Sequence, residues 1–567
     1  MTSRAVTTSS GTIYHPEQIR DYPQVDLLTL LFDHKVTNTK WTSHEDTILH
    51  ASAEDPSQYL TKADVRKHTK RTAHALRSHF GIGANGPGKD VVTVISTGHY
   101  MVPLLFYGVI AAEGIFSAVS AASTDKELTG LLKGAGCNLL ICNEATKNVA
   151  IKAAAAAGLS EDRVVVTSDC GDWSLKRVGE PKQELLSNGE LQWRKITDQK
   201  ELAESLVVLI YSSGTTGLPK SVCISHENFV AECCLPADPM KEKRAIQNPN
   251  FEYRTLAHLP IAHIAGIQGY FVNPFYLGGT TYWMPRFDWP KFLEYNKKYR
   301  ITFFFTVPPI YLLIAKSPDV THQFDTLESA VSGAAPLGKE LQYAASAKLG
   351  KGKIFISQTW GLSESTGSAT VMPEGMRDDT GSVSALVANM TARIVDEDGN
   401  DVPVGSPGEI LLRGPVISRG YFNNLTANAE AYKDGWYCTG DIGHFNPTNG
   451  LFYIVDRKKE LIKYKGLQVA PAELEALLLS HELILDAAVI GVPIEDGYNE
   501  APRAYVVADR KRITAEEIVR YVKENMAGHK QLRGGVVFLD AIPKSPSGKI
   551  LRKDLRELVK REMRAKL

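Results

Sequence analysis

Residues 211–220 read YSSGTTGLPK and follow the apolar run LVVLI. Ser212, Ser213, Thr215 and Thr216 supply hydroxyl donors, Gly214 and Gly217 let a backbone approach a ligand closely, and Lys220 adds a mobile cation. A strand that feeds such a turn suits phosphate, and the implied ligand is a polyphosphate. A solvated Ser/Thr/Gly turn has the same composition. The order of residues is not the helix-opening Gly-Lys-Ser/Thr ending of the P-loop NTPases.

The elements around this loop form a repeating pattern. ADVRKHTKRTAHALRSHF places Val65, Ala73, Leu76 and Phe80 near helical spacing, and VVTVIS then reads as a buried strand. IFSAVS, NLLICN, RVVVTS and LVVLIYSS are further strand candidates, separated by helical stretches such as KNVAIKAAAAAGL. Alternation of this kind predicts an α/β fold with a mostly parallel, helix-covered sheet. Around 389–445 the texture changes to short strands with Gly, Asp and Pro turns, which predicts a small β-rich subdomain. After FYIVDRKKELIKYKG the chain becomes compact α+β, with helices at APAELEALLLSH and TAEEIVRYVKENM and strands at DAAVIGV and RAYVVAD. The expected division is a large N-terminal domain over 1–456 and a small mobile C-terminal domain over 457–567, hinged at the charges from Asp456 to Lys459.

At 567 residues the chain exceeds what one core usually supports. Lysine plus arginine (64) offsets aspartate plus glutamate (64), so no net field draws in nucleic acid or an anionic membrane, and a small-molecule substrate is expected. Seven cysteines without a CxxC pair argue against a disulfide framework or a structural zinc site. The longest apolar stretch, about twelve residues from Met101 to Ala112, is short of the roughly 20 that span a bilayer, so a soluble protein is expected. The first residues, MTSRAVTTSSGTIYHPEQ, lack a signal-peptide core and read as a frayed terminus. Ala565-Lys566-Leu567 is close to the SKL peroxisomal address, which predicts an import receptor as partner and the peroxisome as location.

Several further segments occur in a fixed order: LPIAHIAG, SGAAPLG, QTWGLSE, YCTGDIG, DRKKELIKYKG and PSGKILRK. Together with the phosphate loop they resemble the adenylate-forming enzymes, a resemblance that spans most of the chain. VPPI with AKSP, and KYKGLQVAPAELE, are most similar to the 4-coumarate-CoA ligase-like branch, which includes fungal peroxisomal aryl- and acyl-CoA ligases. The resemblance implies an ATP-dependent, AMP-forming acid-thiol ligase that uses ATP, Mg²⁺ and CoA, in specialised-metabolite (toxin or antibiotic) synthesis or peroxisomal acid metabolism. An adenylating enzyme with another second step, either luciferase-like oxygenation or carrier-protein loading, is the alternative.

The same resemblance implies roles for single residues. Lys549 looks like the adenylation lysine, while Thr216 and Glu364 look like the Mg²⁺-linked pair. Asp441 would accept from the ribose hydroxyls with Arg457 beside it. Gly333, Ala334 and Ala335 would let adenine lie against the backbone, with Gln358, Trp360, Gly361 and Ser363 on the nucleotide's other side. Ser363 stands where the family usually has Thr, and Thr359 where it has Gly. His263 would line the carboxylate end of the acyl pocket. Lys459 would be the pivot, after whose rotation Lys463 and Gln468 replace Lys549 near AMP, while Lys465, Gly466 and Arg286 face CoA. Ala262 and Ala265 stand where relatives often carry aromatics, so a roomier pocket for an aryl-acetic, medium-chain or polyketide-like acid is expected.

Overall fold

The structure is a computed structural model that describes residues 2–9, 11–34, 42–212, 219–464, 467–494, 499–545 and 548–566, with side chains to residue 562. Its central sheet has seven strands. Leu206–Ser212, Ile115–Val119, Val91–Ile95, Cys137–Asn143 and Val164–Thr167 run parallel, and Lys220–Ser225 and Leu175–Arg177 close the two edges antiparallel. Val91–Ile95 and Ile115–Val119 are buried at every position, as expected of strands covered on both faces. The apolar stretch after Met101 is helix Val102–Ala111, wholly inside the protein. Among the described residues no helix is long and apolar enough to cross a membrane.

A three-stranded parallel sheet, Phe303–Thr306, Ser329–Ser332 and Ser357–Gln358, matters most for chemistry. Its strands end together, and VPPI, SGAAPLG and QTWGLSE leave from those ends. Carboxyl ends of parallel strands are where open α/β sheets bind ligands, because the loops diverge there and leave a crevice.

The β-rich region forms the expected small sheet, but with an unexpected member. Ser3–Thr8 and Gly11–Pro16 form a hairpin that joins Thr391–Val395 through Tyr14 and Ala392. The amino terminus is therefore not frayed. Alternation in GTIYHP buries every second residue, and the Tyr14 ring packs on Phe445 and Phe452. Polar Ser3 and Thr12 on the buried face hide this period-two pattern from a composition-based reading.

The strand Leu451–Arg457 ends in a turn over 458–460, and a smaller α+β unit follows. Its sheet, Ile484–Pro493, Glu500–Ala508 and Val536–Phe538, carries helices Pro471–Ser480 and Ala515–Asn525. Helix Ala515–Asn525 starts at a capping box between Thr514 and Glu517 and buries Ile518 and Val522, one turn apart, in a separate core with Leu474, Leu478 and Val489.

Candidate active site

A cavity of about 260 Å³ opens where the three-stranded sheet ends. Its walls include His263, Ala265, Phe305, Gly333, Ser363 and, from the smaller unit, Lys549. Lys549 gets there on a tight turn: Gly548 adopts φ +81°, its N–H bonds Ser545 O at 2.8 Å, and Ser545 N–H bonds Lys549 O at 2.8 Å. A side chain on Gly548 would also meet Val307 Cγ2 at 3.3 Å, so glycine lets the turn seat against the start of VPPI.

Burial, then the Arg457 guanidinium, push the Lys549 ammonium below its usual range, while Glu364 and Asp441 draw it back up. The lysine thus lies within electrostatic reach of Arg457, Glu364 and Asp441. His263 caps the helix Ile264–Ile267, its Nδ1 accepting from Ala265 N–H at 3.3 Å. Burial, then Lys549, hold its imidazole down to about 3, so it is neutral at working pH.

Asp441 and Arg457 face each other across antiparallel strands, with Arg457 Nε 3.1 Å from Asp441 Oδ1. Trp360 Nε1 donates to Asp441 Oδ2 at 2.8 Å. Asp441 is buried, whereas Arg457 is half-exposed and held above its usual range chiefly by Asp441. Glu364 is buried as well, and Tyr421 Oη donates to its Oε1 at 2.9 Å. Lys220 Nζ lies 4.8 Å over the Tyr421 ring, which links the start of strand Lys220–Ser225 to the glutamate. Tyr421 was missed in the sequence because nothing near it in GYFNN marks a site.

The glycine and alanine positions have local reasons. A Cβ on Gly361 would stand 1.8 Å from Gly367 O, and one on Gly333 would press on the Phe305 ring at 3.2 Å. Ala334 takes the left-handed region at φ +71°, a strained place for a residue with a Cβ. Gln358 is buried with Oε1 accepting from Leu337 N–H at 2.9 Å, and it lines the cavity. Ala335 is exposed and lies off the cavity wall.

Other expected residues are not brought to this centre. Lys463 and Gln468 are exposed partners on the paired strands Ile462–Tyr464 and Leu467–Val469, Lys459 is exposed in the turn that precedes them, and Arg286 is exposed after strand Thr280–Trp283. Ala262 packs against the large core and is not part of the cavity wall, unlike Ala265: successive residues entering a helix point to different sides. Ser212 ends its strand opposite Lys220. Ser213, Gly214, Thr215, Thr216, Gly217, Lys465, Gly466 and Leu567 lie outside the described residues, as do the side chains of Ala565 and Lys566.

A parallel-strand crevice with an Asp-Arg-Trp corner, a buried glutamate and a lysine from the smaller unit forms a candidate active site lined by both units. Residues 38–422 match the AMP-binding enzymes, and residues 473–549 match the AMP-binding enzyme C-terminal domain. The chain is 49% identical over 550 residues to a putative acyl-coenzyme A synthetase of Emericella nidulans, covering 96% of this chain and 98% of that one. It is 34% identical to the phenylacetyl-CoA ligase epaB of Aspergillus niger, covering 95% and 97%. The solved structure of ATP-bound MatB from Rhodopseudomonas palustris shares the fold with a TM-score of 0.78 at 24% identity, over 94% of this chain and 98% of that one. The chain belongs to the AMP-binding enzyme family. It is an ATP-dependent, AMP-forming acyl-CoA ligase.

Proposed function

We propose that this ligase activates a carboxylic acid with a bulky, largely apolar body, of the aryl-acetic or medium-chain kind. The observation that carries the reading is the cavity of about 260 Å³, which joins Lys549 and His263 at the nucleotide corner to a wall in which residue 265 is only an alanine. The 34%-identical phenylacetyl-CoA ligase supports it.

In the first half-reaction the acid's carboxylate oxygen attacks the α-phosphorus of ATP, the bond from that phosphorus to the bridging oxygen breaks, and pyrophosphate leaves. Two anions must meet, so cations and donors at the point of attack lower the barrier. Lys549 is the group that can bridge them: its ammonium lies at the acyl cavity within the field of Glu364 and Asp441. Neutral His263 forms the wall at this end and places no second positive charge there. The Asp441 carboxylate, oriented by Trp360 and Arg457, suits the paired hydroxyls of a ribose. Glu364 would fit Mg²⁺, because Tyr421 binds one oxygen, the described residues give the other no hydrogen-bond donor, and one carboxylate with phosphate oxygens is a common way to hold this ion. The ion would supply neutralisation of phosphate charge.

In the second half-reaction a CoA sulfur, its proton lost, attacks the acyl carbonyl carbon and AMP leaves. For this step we assign the pivot to Lys459 and the nucleotide-facing role to Lys463 and Gln468. The test is AMP release across aromatic, short, medium and long acids, with and without CoA. Thioester formation with aryl-acetic or medium-chain acids is expected. AMP release that is greatest with acetate, or with acids too long for the cavity, would overturn the assignment.

A further inference from the structure

Helix His226–Gln247 carries a glutamate inside an apolar run, VAECCL, and Glu232 is only 3% exposed. Its Oε1 accepts from Ser368 N–H at 2.6 Å, and its Oε2 has no hydrogen-bond partner among the described residues. Among the described residues no cation compensates it. Burial therefore pushes its carboxyl well above the usual range, the hydrogen bonds from Ser368 offsetting only part, which favours the protonated form. The chain makes room for this side chain: Gly367 adopts φ +138°, and a Cβ there would stand 2.8 Å from Glu232 Oε1.

Glu232 lines the cavity, and so does Gln268. Gln268 is likewise buried, with Nε2 spent on Asn273 Oδ1 at 3.0 Å and Oε1 without a partner among the described residues. Glu232 and Gln268 thus both line a single cavity, and each keeps one buried oxygen without a partner among the described residues. Burying such groups unpaired is costly, and a ligand that pairs with them recovers the loss.

We propose that Glu232, with Gln268, is a specificity-determining polar station in the acyl cavity, selecting acids that carry an uncharged oxygen function, a hydroxyl or oxo group, on their apolar body. The protonated Glu232 donates to that oxygen, and Gln268 accepts from a hydroxyl. This rests on the assignment of the cavity to the acyl group and narrows the acid class.

The test uses acid pairs that differ only by CH₂ against CHOH or C=O along the body, with the wild type, Glu232→Gln and Glu232→Met. The expected result is a wild-type kcat/KM higher for the oxygenated member of a pair by about 10- to 100-fold. Glu232→Met brings the two members within about threefold by improving the hydrocarbon acid and weakening the other. Glu232→Gln, which copies the shape, donor and acceptor of the neutral carboxyl, keeps the preference. Calorimetric binding of the same pairs reads the contact without turnover, so a wild type that releases no AMP with any acid refutes the ligase reading while leaving this one open to measurement. Preference for the hydrocarbon member in every pair, or a preference that survives Glu232→Met, overturns the proposal. So does a preference for ω-amino acids that is lost in Glu232→Gln, which would make Glu232 a counter-ion. If Glu232→Met does not fold, Gln268→Leu is the second probe and is expected to weaken hydroxy acids more than oxo acids; equal effects overturn the proposal.

Discussion

Replacing Arg552 with Met tests what holds Lys549 in position. Arg552 lies three residues beyond Lys549, and its Nη2 bonds both oxygens of Glu475, at 2.7 and 2.8 Å. Both side chains are largely buried, and Glu475 also accepts from Val489 N–H at 2.8 Å. Burial raises the Glu475 carboxyl from 4.5 to about 6 even with Arg552 and the Val489 bond pulling it down. Without the guanidinium it should stay protonated past neutrality.

The sign follows from proton counts. A raised folded pKa means that the folded state keeps a proton the unfolded state has released, so stability present below pH 4.5 is lost as pH rises. In the wild type that loss stops near pH 6; in Arg552→Met it continues. The pH-dependent part of the destabilisation is therefore near zero at pH 6 and about 2 kcal/mol at about pH 7.5, at about 1.4 kcal/mol per pH unit. Adding Glu475→Gln removes the titrating group and keeps an acceptor for Val489. The double variant should exceed Arg552→Met by about 4 kcal/mol at about pH 7.5 and by under about 1 kcal/mol at about pH 5. Urea unfolding at both pH values measures this, and ATP–pyrophosphate exchange at about pH 7.5 should return with the second substitution. A pH-independent loss, or no rescue by Glu475→Gln, would refute the account of a buried charge held by its partner.

Lys549→Ala should lower acid-dependent ATP–pyrophosphate exchange by about 10²–10³-fold while sparing thioester formation from a supplied acyl-adenylate; equal loss of both half-reactions in a folded variant would sink the assignment. Trp360→Phe removes a donor to a buried carboxylate, worth about 1.5–3 kcal/mol, and should raise the KM for ATP by about 10- to 100-fold with less change in kcat; an unchanged KM would take Asp441 away from the nucleotide. Lys459→Pro should fix φ near −65° and slow thioesterification more than adenylation, and equal rates in both steps would put the pivot elsewhere. His263, neutral down to about 3, should contribute no limb to the pH profile of kcat/KM between about pH 5 and 8; a limb in that range that disappears in His263→Gln would show that it titrates.

The local properties of this chain determined much of what it is. The short, β-branched, largely apolar runs at 91–95 and 206–210 read as buried strands, and helix Ala515–Asn525 follows from its spacing and its cap. Asp441 and Arg457 were legible as a pair because their motifs have a fixed order, and the register of two antiparallel strands then makes them neighbours. The tertiary structure alone decided three things. It showed that Ala265 and not Ala262 faces the cavity, since a residue's side of a short helix depends on how that helix docks. It joined the amino-terminal hairpin to strands nearly four hundred residues away, a pairing that no local pattern encodes. It also turned Glu232, a charge in an apolar run, into a buried carboxyl without a cation among the described residues: whether a glutamate is ionised depends on what packs around it, and those neighbours come from distant parts of the chain.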